Sequence, residues 1–390
     1  MSERTARAPL PPGFSVIWTT VAIDLVGFGI VLPILPLYAE DLGARATMVG
    51  LLVASFSLAQ MVCAPLLGRL SDRIGRKPVL IISLLGTAVG SLVTGLAGSV
   101  AVLFVGRIID GASGASVSVA QAAATDLAEP RDRPRVLGLL GAAFGIGFVV
   151  GPMIGALASL GGAHVPFFVA AAIALINAAV AVKRLPETHP AHAARDAAPE
   201  PTPTEASPAL PTSMRQAIVR VIVVSFVGVA AFSGFEATFA LLGQDRFGLE
   251  SASIGLVFAG IGVALAIVQG ALVGPVSQRL GETAVLRGAL VLNVVGLGLL
   301  AVGGGWLGLV AALGLLVVGQ GLLTPNLSTA VADRAGDARG SWLGWQQSAG
   351  AGARVVGPLM AGALFEHVGV GAPYALAAGL TVVALALVPA

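Results

Sequence analysis

Two stretches decide the architecture: Gly68-Arg-Leu-Ser-Asp-Arg-Ile-Gly-Arg-Lys-Pro-Val-Leu80 and, 206 residues further on, Gly274-Pro-Val-Ser-Gln-Arg-Leu-Gly-Glu-Thr-Ala-Val-Leu286. Each sits between two long apolar runs. The same offset lays Gly151-Pro152 over Gly357-Pro358, Arg133 over Arg339 and Gly138 over Gly344. Unrelated signals that agree on one offset mark a duplicated unit. Membrane units duplicated about an axis along the membrane normal place a site at the midplane between them.

The composition around these stretches fits a membrane. Of the 390 residues 56% are hydrophobic and 11% charged, where a soluble domain has about 25% charged residues, so a water-soluble globule is excluded. Apolar segments run at 14–38, 48–68, 78–98, 100–124, 136–160, 164–184, 217–241, 251–274, 284–304, 306–330, 340–364 and 372–390. Each is close to the ~20 residues that cross ~30 Å of hydrocarbon. The expected fold is an all-α polytopic membrane protein of twelve transmembrane helices, arranged as two six-helix pseudo-symmetric bundles. Leu185 to Ser213 holds seven prolines among Ala, Thr, Glu and Ser, too few apolar residues to fold alone. It divides the chain into an N-terminal bundle (1–184), a Pro-rich linker (185–213) and a C-terminal bundle (214–390).

With loops assigned alternately, 18 of the 22 Lys and Arg fall on the side of the amino terminus, with Arg45 and Arg246 opposite and Arg107 and Arg354 inside spans. The positive-inside rule then puts both termini and the linker in the cytoplasm. The first span, with Asp24, Pro33 and Pro36 and no small-residue cleavage site, reads as a retained helix rather than a signal peptide. Other chemistries find no footing. Cys63 is the one cysteine, four scattered histidines have no metal-ligand spacing, and neither lysine follows a P-loop glycine run. No metal, cofactor, nucleic acid or enzymatic activity is expected.

Four local patterns carry a family resemblance: Asp24-x-x-Gly27-x-Gly29-x-x-x-Pro33-x-x-Pro36 in the first span; Gly68-x-Leu-x-Asp72-Arg73-x-Gly75-Arg76-Lys77 after the second; Arg107-x-x-x-Gly111-x-Ser-Gly114-Ala115 in the fourth; and Gly138-x8-Gly147-x3-Gly151-Pro152-x2-Gly155 in the fifth. With these the chain resembles the major facilitator superfamily, and within it the twelve-span drug:proton antiporters of the tetracycline and multidrug efflux type. Two positions depart from the pattern: Ala156, where a final Gly is usual, and Asp110, where the family often has a neutral residue. The resemblance implies a rocking interface at Gly138, Gly147, Gly151, Pro152 and Gly155, of a kind associated with exporters. It also implies a gating latch built on Gly68, Asp72, Arg73, Gly75, Arg76 and Asp126, with Asp72 near the start of span 11 and a loop arginine near Asp126. The bland alternatives are small-residue packing and loop charges that only fix topology.

Ionisable residues inside spans are functional candidates by default, because each costs about 2.5–3.5 kcal/mol on insertion scales. Arg107, Asp110, Gly114, Ser118 and Gln121 form a polar stripe on one face of span 4, expected to line a cavity. Arg107 can pair with Asp110 at i,i+3, or instead with Asp24. Glu236 shares its face with Phe232 and Phe239, a carboxylate among aromatic rings that suits a group loading and releasing a proton. The proton-coupling set is therefore Asp24, Arg107, Asp110 and Glu236. Candidate substrate contacts are Phe28, Gln121, Phe232, Phe239, Gln269, Asn293 and Gln346. Whether Arg354, which shares a face with Gln347, meets the cavity stays open.

The function expected is proton-driven export of a small lipophilic drug or antibiotic by alternating access. The transporter would be a monomer in a bacterial inner membrane, a source compatible with the bias of 20 arginines to two lysines. The rivals are an importer or uniporter of a sugar or metabolite, and a non-transporting receptor or scaffold.

Overall fold

The computed structural model describes residues 10–129, 133–188, 211–335 and 339–389, so that of the expected linker residues 189–210 lie outside it. The first half contains α1 (Phe14–Val31), α2 (Leu35–Asp41), α3 (Ala46–Ile74), α4 (Arg76–Gly95), α5 (Val100–Ser113), α6 (Ser116–Leu127), α7 (Arg133–Ser159) and α8 (Val165–Arg184). The second contains α9 (Thr212–Phe247), α10 (Ser251–Ile267), a π-helical turn (Val268–Leu272), α11 (Val273–Leu280), α12 (Glu282–Val302), α13 (Gly305–Ala335), α14 (Arg339–His367) and α15 (Ala372–Leu387). Ten helical stretches among the described residues, three of them interrupted within, are long and apolar enough to cross a membrane, and Ala372–Leu387 is a shorter apolar helix. Helices suit lipid because each backbone N–H and C=O is satisfied within its own segment.

Three spans expected to be continuous are broken. Pro33, which lacks an N–H, separates α1 from α2. Gly114 and Ala115 interrupt the fourth span, and the Gln60 amide donates to the Gly114 carbonyl at 2.7 Å, replacing the helical partner. The π turn at Val268–Leu272 holds Gln269 on an exposed surface. Non-helical backbone at membrane depth is tolerated where protein or a water-filled space surrounds it.

Successive spans run up and down between the end where α8 gives way to Leu185–Thr188, here the linker end, and the opposite, far end. At the far end one hydrophobic core crosses between the halves, joining Ile30, Ile34 and Leu35 to Val49 and Leu52 and on to Phe235, Phe239 and Phe258. At the linker end the first half keeps a separate core of its own around Phe14, Val79, Leu84, Val119 and Leu140. Among the described residues the halves touch mainly through two helix pairs, with smaller contacts of α2 and α3 on α9. α3 meets α14 where a Cβ on Gly50 would strike the Pro358 carbonyl and one on Gly362 the Ala46 carbonyl. α10 meets α7 where Gly255 abuts the Pro152 carbonyl and Ala156, and Gly262 the Phe148 carbonyl. Pro152 and Pro358 are the pair matched by the repeat, so the two crossings are pseudo-equivalent. Toward the linker end the same helices carry exposed residues: Met61, Val62 and Leu66 on α3, Gly141 and Phe144 on α7, Ile267 on α10. Among the described residues the molecule is closed at the far end and open at the linker end.

Candidate functional site

Asp24 and Phe28 lie one turn apart on α1, both partly exposed. Asp24 accepts a hydrogen bond from the Ser116 hydroxyl, at the first residue of α6. The break in span 4 thus presents a helix N-terminus, a favourable place for a carboxylate. The Phe28 ring lies 5.6 Å from Phe56 and 6.5 Å from Phe148. Phe148 is one turn from Pro152 on the face of α7 that reaches α10.

The expected polar stripe does not survive this break. Arg107 and Asp110 pair with each other at 2.8 Å, both buried. The guanidinium lies 4.3 Å over the Phe56 ring, and Asp110 rests against Gly90 of α4. They are therefore packed inside the first half, while Ser118 and Gln121 occupy an exposed face of α6. Nor does Arg107 pair with Asp24. The structure corrects the expectation that Arg107 and Asp110 line the cavity, because the kink at Gly114 turns the two segments of the span to different neighbours. Arg107→Leu alone is expected to destabilise the detergent-solubilised protein by about 3–5 kcal/mol, the range for leaving half of a buried pair uncompensated. Arg107→Leu combined with Asp110→Leu should recover most of that loss in the same thermal melt. An unchanged midpoint in the single variant would contradict this structural role.

In the second half Glu236 is partly exposed and has Arg354 as its charged neighbour. Arg354, Pro358 and Gly362 recur at i, i+4 and i+8, hence on one face of α14. Pro358 and Gly362 meet α3, so Arg354 continues the inter-half face one turn toward the open end, where it is exposed. Arg354 also matches Phe148 in the repeat. The aromatic wall differs from expectation: Phe235 bridges Phe232, Phe239 and Phe258 at 5.8, 5.0 and 6.3 Å, and Phe239 is fully buried core. Phe232 stays partly exposed.

Two expected amide contacts are packing groups instead. Asn293 is buried against Gly319. Gln346 is buried and donates to Ser225 at 3.3 Å, tying α14 to α9. Helical periodicity gave the face of each amide but not the neighbour that covers it.

The glycine pattern of α7 divides between two partners. A Cβ on Gly147, Gly151 or Gly155 would strike α1 at Leu25, Val26, Gly29 or Ile30, inside the first half. Pro152, with Phe148 and Ala156, faces α10 across the halves. Gly138 has open space around it. Of the residues expected at a rocking interface, Pro152 lies at a contact between the halves, while the glycines Gly147, Gly151 and Gly155 bring α1 and α7 into backbone contact. At Ala156, the departure from the family pattern, the small residue is Gly255 across the crossing.

The motif after span 2 is a helix end rather than a loop. Gly68, Asp72 and Arg73 are helical, and Gly75 alone turns the chain, at φ +104°. Arg76 donates to Asp72 at 2.6 Å and to Asp126 at 3.0 Å, and Glu187 accepts from the backbone N–H groups of Arg76 and Lys77 at 2.8 and 3.2 Å. The arginine–Asp126 contact is therefore present with the linker end open, and Asp72, 58% exposed, is held by Arg76 rather than placed on α14. The second copy keeps the same geometry with the charges exchanged: Gly281 turns the chain at φ +79°, and Glu282, in the place of Arg76, pairs with Arg334 of α13 at 2.6 Å.

The chain matches the sequence profile of the Major Facilitator Superfamily over residues 17–273 and 247–390. It is 33% identical over 352 residues to the tetracycline resistance protein, class E, of Escherichia coli, covering 89% of this chain and 86% of that one. It is 26% identical over 375 residues to multidrug resistance protein 2 of Bacillus subtilis (strain 168), covering 96% and 94%. The crystal structure of the human organic anion transporter MFSD10 (TETRAN) superimposes with a TM-score of 0.69 at 28% identity, covering 97% of this chain and all of that one. The chain belongs to the Major Facilitator Superfamily and is a multi-pass membrane transporter of small molecules, not an enzyme.

Proposed function

We propose that the protein exports a small lipophilic drug or antibiotic in exchange for protons, by alternating access. The observation that carries this reading is the placement of a partly exposed acid in each half, Asp24 and Glu236, at membrane depth beside a gap closed at one end. A carboxylate there exchanges a proton for substrate, and Phe28, Phe148 and Phe232 offer rings to an apolar or cationic molecule. The names of the relatives, tetracycline and multidrug resistance proteins, support the substrate class.

Twelve crossings follow if the broken pairs α1–α2, α5–α6 and α10–α11 each count once, giving bundles at 1–184 and 214–390 joined by the linker 185–213. With both termini and the linker in the cytoplasm of a bacterial inner membrane, the structure is inward-open. One chain supplies both halves of the site, so the transporter works as a monomer. On closure of the linker end Asp72 passes from Arg76 to the N-terminus of α14.

Expression in a bacterial strain lacking its own pumps is expected to lower cell-associated levels of at least one lipophilic antibiotic, and a protonophore should abolish the difference. Raised accumulation, or no effect across a broad panel, would favour an importer or a receptor.

A further inference from the structure

We propose that Glu366 is the gating residue of the far end, the counterpart of Asp72 on the same helix pair, and that the two acids hold α3 and α14 together in turn. The inference rests on the alternating-access reading above.

α3 and α14 run antiparallel, so each lays its C-terminal end beside the N-terminus of the other. At the far end Glu366, one residue from the end of α14, accepts a hydrogen bond from the Thr47 N–H of α3 at 3.0 Å. Thr47 is the second residue of α3, and its N–H is among those without a partner inside the helix. A carboxylate there also faces the positive end of the α3 dipole. The second oxygen of Glu366 lies 3.6 Å from the Arg45 guanidinium, which is 78% exposed, so that ion pair adds little. The backbone contact carries the interaction.

The contact sits beside the Gly50–Pro358 and Gly362–Ala46 crossings, where the two backbones approach without side chains between them. Separating α3 from α14 at this end breaks it, so it exists only while the far end is closed. At the other end of the same helix pair Asp72 of α3 is bonded to Arg76. Each helix thus carries near its C-terminal end an acid suited to its partner's N-terminus, and rocking exchanges one such contact for the other.

The test uses reporters in a Cys63→Ser background: Val53→Cys, partly buried in the far-end core, and Gly138→Cys, exposed near the linker end. Both are labelled with a polar maleimide in membranes. Losing a helix-terminus contact made in one state alone should shift the balance about two- to fivefold. Glu366→Ala should therefore raise labelling at Val53→Cys by that factor and lower it at Gly138→Cys. Glu366→Gln, which keeps an oxygen acceptor, should give a smaller shift of the same sign, and Arg45→Ala a smaller one still. Adding Asp72→Asn to Glu366→Ala should return the ratio toward that of the parent. If the parent's reporters respond reciprocally to a proton gradient but Glu366→Ala and Glu366→Gln label as the parent does, the gate is refuted while alternating access stands. If the parent's reporters never respond reciprocally, the alternating-access reading falls and this proposal with it.

Discussion

Glu236→Gln is expected to reduce substrate accumulation in inverted membrane vesicles to the level of passive equilibration. A pH difference of one unit across the membrane is worth about 1.4 kcal/mol per proton, so a one-for-one exchanger sustains about tenfold accumulation per unit, and an uncoupled one sustains none. Glutamine fills the place of Glu236 beside Arg354 with nearly the same shape but cannot take up or lose a proton. Substrate binding and folded protein should persist, which separates uncoupling from collapse. Asp24→Asn is expected to be milder, because the Ser116 hydroxyl can donate to an amide oxygen as well as to a carboxylate. Gradient-driven accumulation retained in both variants would show that neither acid carries the coupled proton.

The second large effect is expected at Gly262. Its Cα sits against the Phe148 carbonyl, which Pro152, four residues on, leaves without an intrahelical donor. Such close backbone approach lets Cα–H groups and carbonyls meet across a helix pair. A leucine side chain at Gly262 must push α10 away from α7 where the far end closes. Overpacking of this kind costs about 1–3 kcal/mol, which as a bias between two states is about 5- to 150-fold. Gly262→Leu should therefore lower turnover by a factor in that range while Gly260→Leu, with open space at its Cβ position, leaves it near the parent's. Equal turnover in the two variants would mean that the α7–α10 crossing does not limit the cycle. Gly151→Leu is a different experiment: it strikes Gly29 and Val26 of α1 and should reduce the yield of folded protein rather than block rocking alone.

Run length is enough to mark the ten long apolar helical stretches among the described residues, since an apolar stretch of membrane thickness has few alternatives. The breaks were harder to read. Pro33 and Gly114 were visible as residues, but a bend at membrane depth depends on a group that satisfies the freed carbonyl, and Gln60 lies more than fifty residues from Gly114. The same limit explains Arg107. Spacing allowed a bond to Asp110, yet only the packing of α3 and α4 around the pair decides that it faces protein rather than a cavity.

Glu236 stood out because a carboxylate in an apolar run is rare. Arg354 could not be assigned until Pro358 and Gly362 fixed which face of α14 meets the other half. The crossing glycines Gly50, Gly255, Gly262 and Gly362 do not stand out in a sequence with 52 glycines. Their signal is positional, one small residue opposite each repeated proline, and it has meaning only once the helix pairs are known. Glu366 is an ordinary acid at a helix end until the N–H group it caps is identified.

Proton exchange is tested most directly by substrate flux in proteoliposomes that enclose a pH-sensitive dye, with protein oriented by selective labelling. Proton-coupled export requires that each substrate molecule moving in one direction be accompanied by protons moving in the other, and Glu236→Gln should abolish the proton signal. Substrate flux with no change in internal pH, or with protons moving in the same direction, would contradict it.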